Sequence, residues 1–311
     1  MRMNVKKIIK TFSCMLVPVF LPLCAHPQSS SSNTRAAVPA LSGIKIFQDA
    51  YPDLVFEKRF DAKKDDWIVT VTFPGGSEKK EFRWAGGSML PEQEVPNKER
   101  YWPLLYSYPA KLSDPADFTP EETERMRNFG STDNRKNGAG TPMFFFDTLY
   151  DSGTRGELES HLSRTTFLGH STTVHERIVG PLKTVERRIT ELAASDAEVR
   201  DFVDGIKSTD AYYWRIISGT TRKSFHSLGI AIDILPKYLG GKAIFWGWTK
   251  DVNPDGWMLT PLSARWMPPQ KVIDIFEEEG FIWGGKWTIF DNMHFEYHPE
   301  LILYSRRRGS D

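Results

Sequence analysis

The pattern of apolar and polar positions predicts short strands and helices in the second half of the chain. Residues 230–235 carry isoleucine at every second position, the period of a strand with one buried face. We interpret Tyr212–Ser218, Phe281–Trp283 and His294–Tyr297 as further strands. Three segments instead have helical spacing, and each follows a helix-start signal. After Gly180-Pro181 the apolar positions are Leu182, Val185, Ile189 and Leu192. After the capping-box pattern Ser195-Asp196-Ala197-Glu198 they are Val199, Phe202, Val203 and Ile206, and after Pro268-Pro269 they are Val272, Ile273, Ile275 and Phe276.

The first half of the chain contains weaker signals. Trp67–Phe73 alternates, residues 74–76 (Pro-Gly-Gly) form turns readily, and Glu81–Trp84 can return as a partner strand, which predicts a β-hairpin. The sequence Thr-Pro-Glu-Glu at 119–122 predicts a helix start, because it supplies a cap, a proline and acidic residues in the first turn. A polar loop with glycines at 130–140 is the best candidate for a domain boundary.

Strands and helices are mixed without a regular βαβ order, which favours an α+β fold. No internal repeat is evident in the sequence. We predict that residues 45–135 form an N-terminal accessory region that contains β structure and has no evident role. Residues 136–311 are predicted to form the second domain.

The N-terminus has the features of a secretory signal peptide. Basic residues precede an apolar run from Phe12 to Ala25 that two prolines make too short and irregular to span a bilayer stably. Cleavage after Ala25 fits the sequence, and residues 21–24 also resemble a lipoprotein box, which would place a lipid on Cys24. We predict a signal peptide at 1–25, a flexible Ser-rich linker at 26–44, and an exported protein of the periplasm or cell envelope.

Cysteine content and charge exclude two classes of function. The only cysteines, Cys14 and Cys24, lie in the predicted signal, so a chain cleaved after Ala25 has no disulfide, thiolate ligand or cysteine nucleophile. The whole chain has 40 basic and 40 acidic residues. Residues 1–25 hold four basic and no acidic residues, which leaves 36 against 40, a net charge of −4. A nucleic-acid partner is therefore not expected.

Two histidines and one aspartate form a candidate zinc site. His226 and Asp233 lie in one ten-residue stretch, and His294 lies in the last predicted strand. Alternation places Asp233 opposite the core-facing isoleucines. A zinc site with three protein ligands keeps a fourth position for water, and Asp291, three residues before His294, could serve as a general base. That combination is suited to amide hydrolysis.

The two histidine stretches together resemble a known family. The pattern Ser224-x-His226-x-x-Gly229-x-Ala231-x-Asp233, followed by Trp283-Gly284-Gly285-x-Trp287 and Asp291-x-x-His294-Phe295, is similar to the M15 family of zinc peptidases. That family includes VanY-type D-alanyl-D-alanine carboxypeptidases and L-alanyl-D-glutamate endopeptidases. The resemblance covers about residues 210–298 and leaves residues 45–135 unexplained.

The resemblance implies a fold and a set of site residues. The fold is the small α+β domain of hedgehog-type and D,D-peptidase proteins, with a small antiparallel sheet and flanking helices. It implies one Zn²⁺ per chain, held by His226, Asp233 and His294, with Asp291 as the general base. It also implies an arginine upstream of the first histidine, and we favour Arg215 over Arg222. Two further residues are assigned supporting roles, Ser224 near the substrate or a ligand and Glu296 as a partner that fixes an imidazole tautomer.

Three functions remain open at this stage. An exported peptidase of this kind is expected to act on peptidoglycan stem peptides, as a D-alanyl-D-alanine carboxypeptidase. The first alternative is an L-alanyl-D-glutamate endopeptidase, which needs an open-ended groove rather than a cation that holds a terminal carboxylate. The second is a non-catalytic cell-wall-binding module that keeps zinc as a structural element. No membrane contact is expected beyond a lipid on Cys24, and the sequence does not define an oligomeric state.

Overall fold

Three small antiparallel sheets and ten helices make up the part of the chain that the computed structural model describes, residues 38–73 and 79–308. This is a mixed helix and sheet architecture, compatible with the predicted α+β class. The strands are β1 Val55–Asp61, β2 Asp66–Thr72, β3 Lys79–Arg83, β4 Leu162–Phe167, β5 His170–His175, β6 Ile206–Asp210, β7 Ala231–Pro236, β8 Phe281–Trp283 and β9 His294–Tyr297. The helices are α1 Ala40–Ala50, α2 Pro120–Phe129, α3 Thr132–Asn137, α4 Phe144–Leu149, α5 Arg155–Glu159, α6 Glu176–Ala193, α7 Ala197–Asp204, α8 Trp246–Val252, α9 Gln270–Glu278 and α10 Pro299–Arg308.

The N-terminal sheet has the strand order β1-β2-β3. Strands β2 and β3 pair antiparallel as the predicted hairpin, with Val69 opposite Phe82, while the predicted turn at 74–76 lies outside the described residues. Phe145, from α4, packs its ring edge-on against Phe47 and Phe82. Apolar residues from both sides of the predicted boundary at 135 therefore share one continuous core.

The sheet that carries the candidate site has the order β6-β7-β9-β8, with every pair antiparallel. Ile232 and Ile234 of β7 are fully buried, as their alternation predicts. Beneath them, Phe295 of β9 stacks on Phe276 of α9 with ring centroids 3.9 Å apart. One face of this sheet is therefore core, and Asp233 lies on the other.

The structure corrects two predicted helix starts. Helix α6 begins at Glu176 rather than after Pro181, because His175 accepts a hydrogen bond from the Arg177 backbone and caps it earlier. Helix α7 is capped by Asp196 and not by Ser195, since the Asp196 carboxylate accepts the bond from the Val199 backbone.

The predicted strand Tyr212–Ser218 is wrong. The neighbouring strand β6 ends at Asp210, and the segment after it runs as irregular backbone. The Tyr212 backbone donates to the carbonyl of Thr173 in β5 at 2.9 Å, and the backbone of Tyr213 and Arg215 bonds to a short 3₁₀ turn at Phe225–Leu228. Tyr213 is 66% exposed. Tyr212 and Trp214 are half-buried against the core while Tyr213 and Ile216 are exposed, so the alternation marks a core-facing side of irregular backbone and not a sheet strand.

The predicted boundaries have different outcomes. Helix α1 begins at Ala40, so the last residues of the predicted 26–44 linker are helical. The predicted signal peptide lies outside the described residues. The described residues all belong to one compact unit, and the division at 135 stays a prediction. No helix in the described part combines the length and apolar character that a membrane crossing needs.

Candidate metal centre and substrate cleft

The register of two neighbouring strands places two of the three predicted ligands together. Asp233 of β7 lies directly opposite His294 of β9, both on the face away from the isoleucine core. His226 comes from the 3₁₀ turn that precedes β7. Asp233 and His226, which lie 61 and 68 positions before His294 in the sequence, thus contact it in the fold.

The three side chains direct one ligand atom each toward a common centre. His226 Nε2 lies 3.2 Å from His294 Nδ1 and 3.3 Å from Asp233 Oδ2, and His294 Nδ1 lies 2.7 Å from Asp233 Oδ1. Bonds of about 2.0–2.1 Å in a tetrahedral zinc site separate ligand atoms by about 3.3 Å. The donor set and its spacing therefore fit a divalent metal such as zinc.

The other nitrogen of each imidazole has a separate acceptor. His226 Nδ1 donates to the backbone carbonyl of Ala211 at 2.5 Å, and His294 Nε2 donates to Glu296 Oε1 at 2.8 Å. With a metal bound, these bonds would select the tautomers in which the nitrogens facing Asp233 carry lone pairs. Without a metal, burial lowers the pKa of His294, but its hydrogen bonds to Asp233 and Glu296 outweigh burial and raise that pKa well above its ordinary value. Glu296 lies where the sequence predicts an imidazole partner, whereas a backbone carbonyl such as that of Ala211 has no sequence signal.

The electrostatics keep Asp233 ionised. Burial raises the pKa of its carboxyl, but hydrogen bonds from His226 and His294 outweigh burial and lower the pKa below the ordinary value. A carboxylate must be deprotonated to bind a metal. Asp233 is therefore already in its metal-binding form, whereas His294 must release a proton when a metal binds.

Asp291 lies beside the ligands on the loop that precedes β9. Its Oδ1 is buried and has no hydrogen-bond partner among the described residues. Burial raises the pKa of Asp291 to about 7, and the positive charges of His294 and Arg215 only partly oppose that rise. A carboxyl with this pKa can both accept and return a proton near neutral pH.

Glycines shape the two loops that carry site residues. Gly229 ends the 3₁₀ turn after His226 with φ +67°, and a Cβ there would lie 2.8 Å from the backbone nitrogen of His175. Gly284 accepts a hydrogen bond from the Asp291 backbone at 3.0 Å, and a Cβ there would lie 2.7 Å from the Asp291 carbonyl oxygen. Both motif glycines therefore permit close backbone approach.

Ser224 and Ser227 hold the turn that carries His226. The Ser224 hydroxyl accepts a hydrogen bond from the His226 backbone at 3.3 Å, so Ser224 positions a predicted ligand. Ser227 is fully buried, and its hydroxyl bridges the Arg215 backbone, accepting from N at 2.8 Å and donating to O at 2.7 Å. The sequence did not single out Ser227, because its partner lies in irregular backbone.

The two candidate arginines have different surroundings. Arg215 is exposed, lines the cleft with His226 and Asp233, and its guanidinium has no partner in the described part of the chain. Arg222 is half-buried and donates to the carbonyls of Ala139 and Arg135 at 2.7 Å each. The structure thus leaves Arg215 available to a ligand and commits Arg222 to holding the 135–140 segment.

The motif tryptophans also differ. Trp283 is a core residue, 1% exposed, whose indole donates to the carbonyl of Asn292 at 3.0 Å. The Trp287 ring lies 5.3 Å from the His294 ring, so it walls the metal centre on one side.

An open cleft of about 680 Å³ leads to His226 and Asp233. Arg164 and Arg215 supply positive charge to its walls, Asp210 and Asp233 supply negative charge, and Tyr212 and Tyr213 supply aromatic surface. The buried hydroxyls of Thr172 and Thr209 line it without partners among the described residues. Such a cleft suits an extended polar ligand.

Comparisons with known proteins agree with this geometry. Residues 218–297 match the protein family described as D-alanyl-D-alanine carboxypeptidase. This match supports the M15 family and a peptidase. Residues 43–106 match a domain of unknown function (DUF8518), which falls in the predicted accessory region. No curated protein and no solved structure matches the chain.

Proposed function

We propose that this chain is an exported zinc-dependent peptidase that hydrolyses peptidoglycan stem peptides, acting as a D-alanyl-D-alanine carboxypeptidase. The observation that carries the proposal is the convergence of His226, Asp233 and His294 beside Asp291, whose buried carboxyl oxygen lacks a partner among the described residues. A purely structural metal site has no use for such a base. The family match over residues 218–297 supports the substrate class.

The proposed reaction assigns each step to a residue of this chain. His226, Asp233 and His294 would hold zinc, which when bound would supply a water of lowered pKa and a Lewis acid for the carbonyl oxygen. Asp291 takes a proton from the attacking water and returns it to the amine as the C–N bond breaks. Arg215, free in the cleft, stabilises the negative charge that develops on the carbonyl oxygen.

The arginines of the cleft support the carboxypeptidase assignment. A terminal D-Ala carboxylate needs a fixed cation, and Arg164 and Arg215 are the cationic side chains that line the cleft. The basic, apolar N-terminus supports export by a signal peptide at 1–25, with a lipid on Cys24 as the one membrane contact we propose.

A product analysis tests the function. Purified protein loaded with Zn²⁺ is incubated with muropeptides that carry pentapeptide stems, with and without chelator, and mass spectrometry identifies the products. We expect loss of one terminal alanine, abolished by chelator and by Asp291→Asn. Release of a fragment that begins at D-Glu would instead establish the endopeptidase. No cleavage of any stem peptide, with one Zn²⁺ bound per chain, would refute the peptidase and favour the binding module.

A further inference from the structure

A buried chain of hydrogen bonds and ion pairs extends from the metal centre away from the cleft. Glu296 accepts from His294 Nε2 at 2.8 Å through Oε1 and pairs with His298 Nε2 at 3.4 Å through Oε2. His298 Nδ1 donates to Glu300 Oε1 at 2.7 Å, and the Tyr51 hydroxyl donates to Glu300 Oε2 at 2.7 Å. We call these four residues, Glu296, His298, Glu300 and Tyr51, the relay.

Three of the four relay residues, Glu296, His298 and Glu300, each contact two partners. The two carboxylates each contact two partners with separate oxygens, and His298 uses both ring nitrogens. Burial lowers the pKa of His298, but Glu300 and Glu296 outweigh it and raise the pKa to about 9. A protonated His298 therefore lies between the carboxylates of Glu296 and Glu300. Each carboxylate oxygen in the relay has a partner, which fixes the orientation of both side chains.

Burying these charged groups costs folding free energy, which suggests a role other than stability. Glu300 is fully buried and His298 is 3% exposed, among the rings of Phe146 and Phe225. Buried ion pairs are rarely better for stability than apolar residues of the same volume. Buried ion pairs do fix the geometry of their groups. Here the last group, Glu296, bonds to His294 Nε2, the ring nitrogen that is not the predicted ligand atom.

The far end of the relay comes from the N-terminal region. Tyr51 follows α1 and lies 249 positions before Glu300 in sequence. Burial, followed by the charge of Glu300, raises the pKa of Tyr51 well above its ordinary value, so the hydroxyl keeps its proton and stays a donor. Without Tyr51, one oxygen of the buried Glu300 would lose its partner.

A second tyrosine of the same region reaches the other side of the site. The Tyr108 hydroxyl accepts from the Trp283 backbone at 2.9 Å and donates to Glu277 at 2.5 Å. Trp283 directly precedes Gly284, which is bonded to the Asp291 backbone. The N-terminal region therefore contacts the supports of both a predicted ligand and the predicted base.

We propose that the N-terminal region is a positioning part of the metal centre, in which Tyr51 acts through Glu300, His298 and Glu296 to hold the His294 imidazole in its ligand orientation. This inference rests on the proposed function, because it requires that His294 binds a metal. It gives the region that matches a domain of unknown function a role inside the enzyme. Tyr51 is accordingly a positioning residue and touches neither substrate nor metal.

Zinc affinity of the full-length protein tests the relay. Tyr51→Phe removes only the hydroxyl and keeps the ring in the core. Changes to the direct partner of a metal ligand lower affinity about 10–100-fold, so for this more distant change we expect a loss of about threefold to tenfold in competition with a chromogenic chelator. Glu300→Gln should lose more, because His298 and Tyr51 donate to separate oxygens of Glu300 and the amide puts an NH2 donor in place of one of them.

Tyr101→Phe is the matched control. It removes a tyrosine hydroxyl that donates to Glu94 at 2.9 Å within the same region and does not contact the relay. It should leave zinc affinity unchanged, even if its unfolding temperature falls as much as that of Tyr51→Phe. Equal zinc affinity in Tyr51→Phe, Tyr101→Phe and the parent protein would overturn the relay while leaving the proposed function standing. Parent protein that binds zinc no better than His294→Ala would overturn both.

Discussion

Replacing Arg215 should lower activity and leave stability unchanged, whereas replacing Arg222 should lower stability and leave activity unchanged. Replacing Arg215 with alanine removes an exposed guanidinium that has no partner among the described residues, so the free energy of unfolding should change by no more than about 0.5 kcal/mol. If Arg215 stabilises the oxyanion, kcat/KM should fall about 10²–10³-fold, or about 2.7–4 kcal/mol.

Arg222→Ala should behave in the opposite way. It removes two hydrogen bonds of 2.7 Å from a half-buried cation to the carbonyls of Arg135 and Ala139. Bonds that involve a charged group contribute about 1.5–3 kcal/mol each, and partial exposure reduces that value, so we expect a loss of about 3 kcal/mol. Activity per folded molecule should stay close to that of the parent protein.

Two assays on the same samples separate these effects. Urea denaturation gives the free energy of unfolding, and steady-state hydrolysis of a pentapeptide muropeptide below the unfolding transition gives kcat/KM. The reasoning fails if Arg222→Ala loses more kcat/KM than Arg215→Ala while both are folded. It also fails if Arg215→Ala is the less stable variant.

Three further perturbations test individual parts of the site. Asp291→Asn should lower kcat about 10²–10⁴-fold while calorimetry finds zinc affinity changed little, and a kcat within tenfold of the parent value would exclude Asp291 as the base. The folded-state pKa of Asp291, about 7, lies above its ordinary 3.8, so the metal-free protein should lose stability relative to Asp291→Asn as pH rises from about 4 to 7. A difference in urea midpoint that is flat across this range would contradict the buried carboxyl. Gly229→Ala should lower the free energy of unfolding by at least about 2 kcal/mol, because φ is +67° and the new Cβ would contact the His175 backbone. A loss below about 0.5 kcal/mol in thermal unfolding, the size of an ordinary surface substitution, would refute this.

The strands that carry the ligands could be predicted because their signal is local. Alternation alone places Ile232 and Ile234 in the core and Asp233 opposite them, and the observed pairing of Asp233 with His294 follows from two such strands. The same rule failed for Tyr212–Ser218, since Tyr212 and Trp214 pack against the core but the Arg215 backbone bonds to a turn and not to a neighbouring strand. Periodicity predicts a face but does not predict what covers it.

The supports of the site could not be predicted for a different reason. The carbonyl of Ala211 carries no side-chain signal, and Tyr51 meets Glu300 only through packing across the whole chain. The choice between Arg215 and Arg222 depends on exposure and on partners 80 or more positions away, such as Ala139. Long-range contacts of this kind are fixed by the tertiary fold.

A zinc titration of metal-free protein tests the central claim most directly. Bound metal and muropeptide hydrolysis are measured in the same samples, with His226→Ala as the test variant and His161→Ala as a control, since His161 pairs with Asp151 and Glu176 instead of the metal centre. We predict that activity rises linearly to one Zn²⁺ per chain and then stops, in the parent protein and in His161→Ala. His226→Ala should bind zinc weakly and stay inactive. Hydrolysis at full rate without metal, or tight zinc binding and full activity in His226→Ala, would contradict the account.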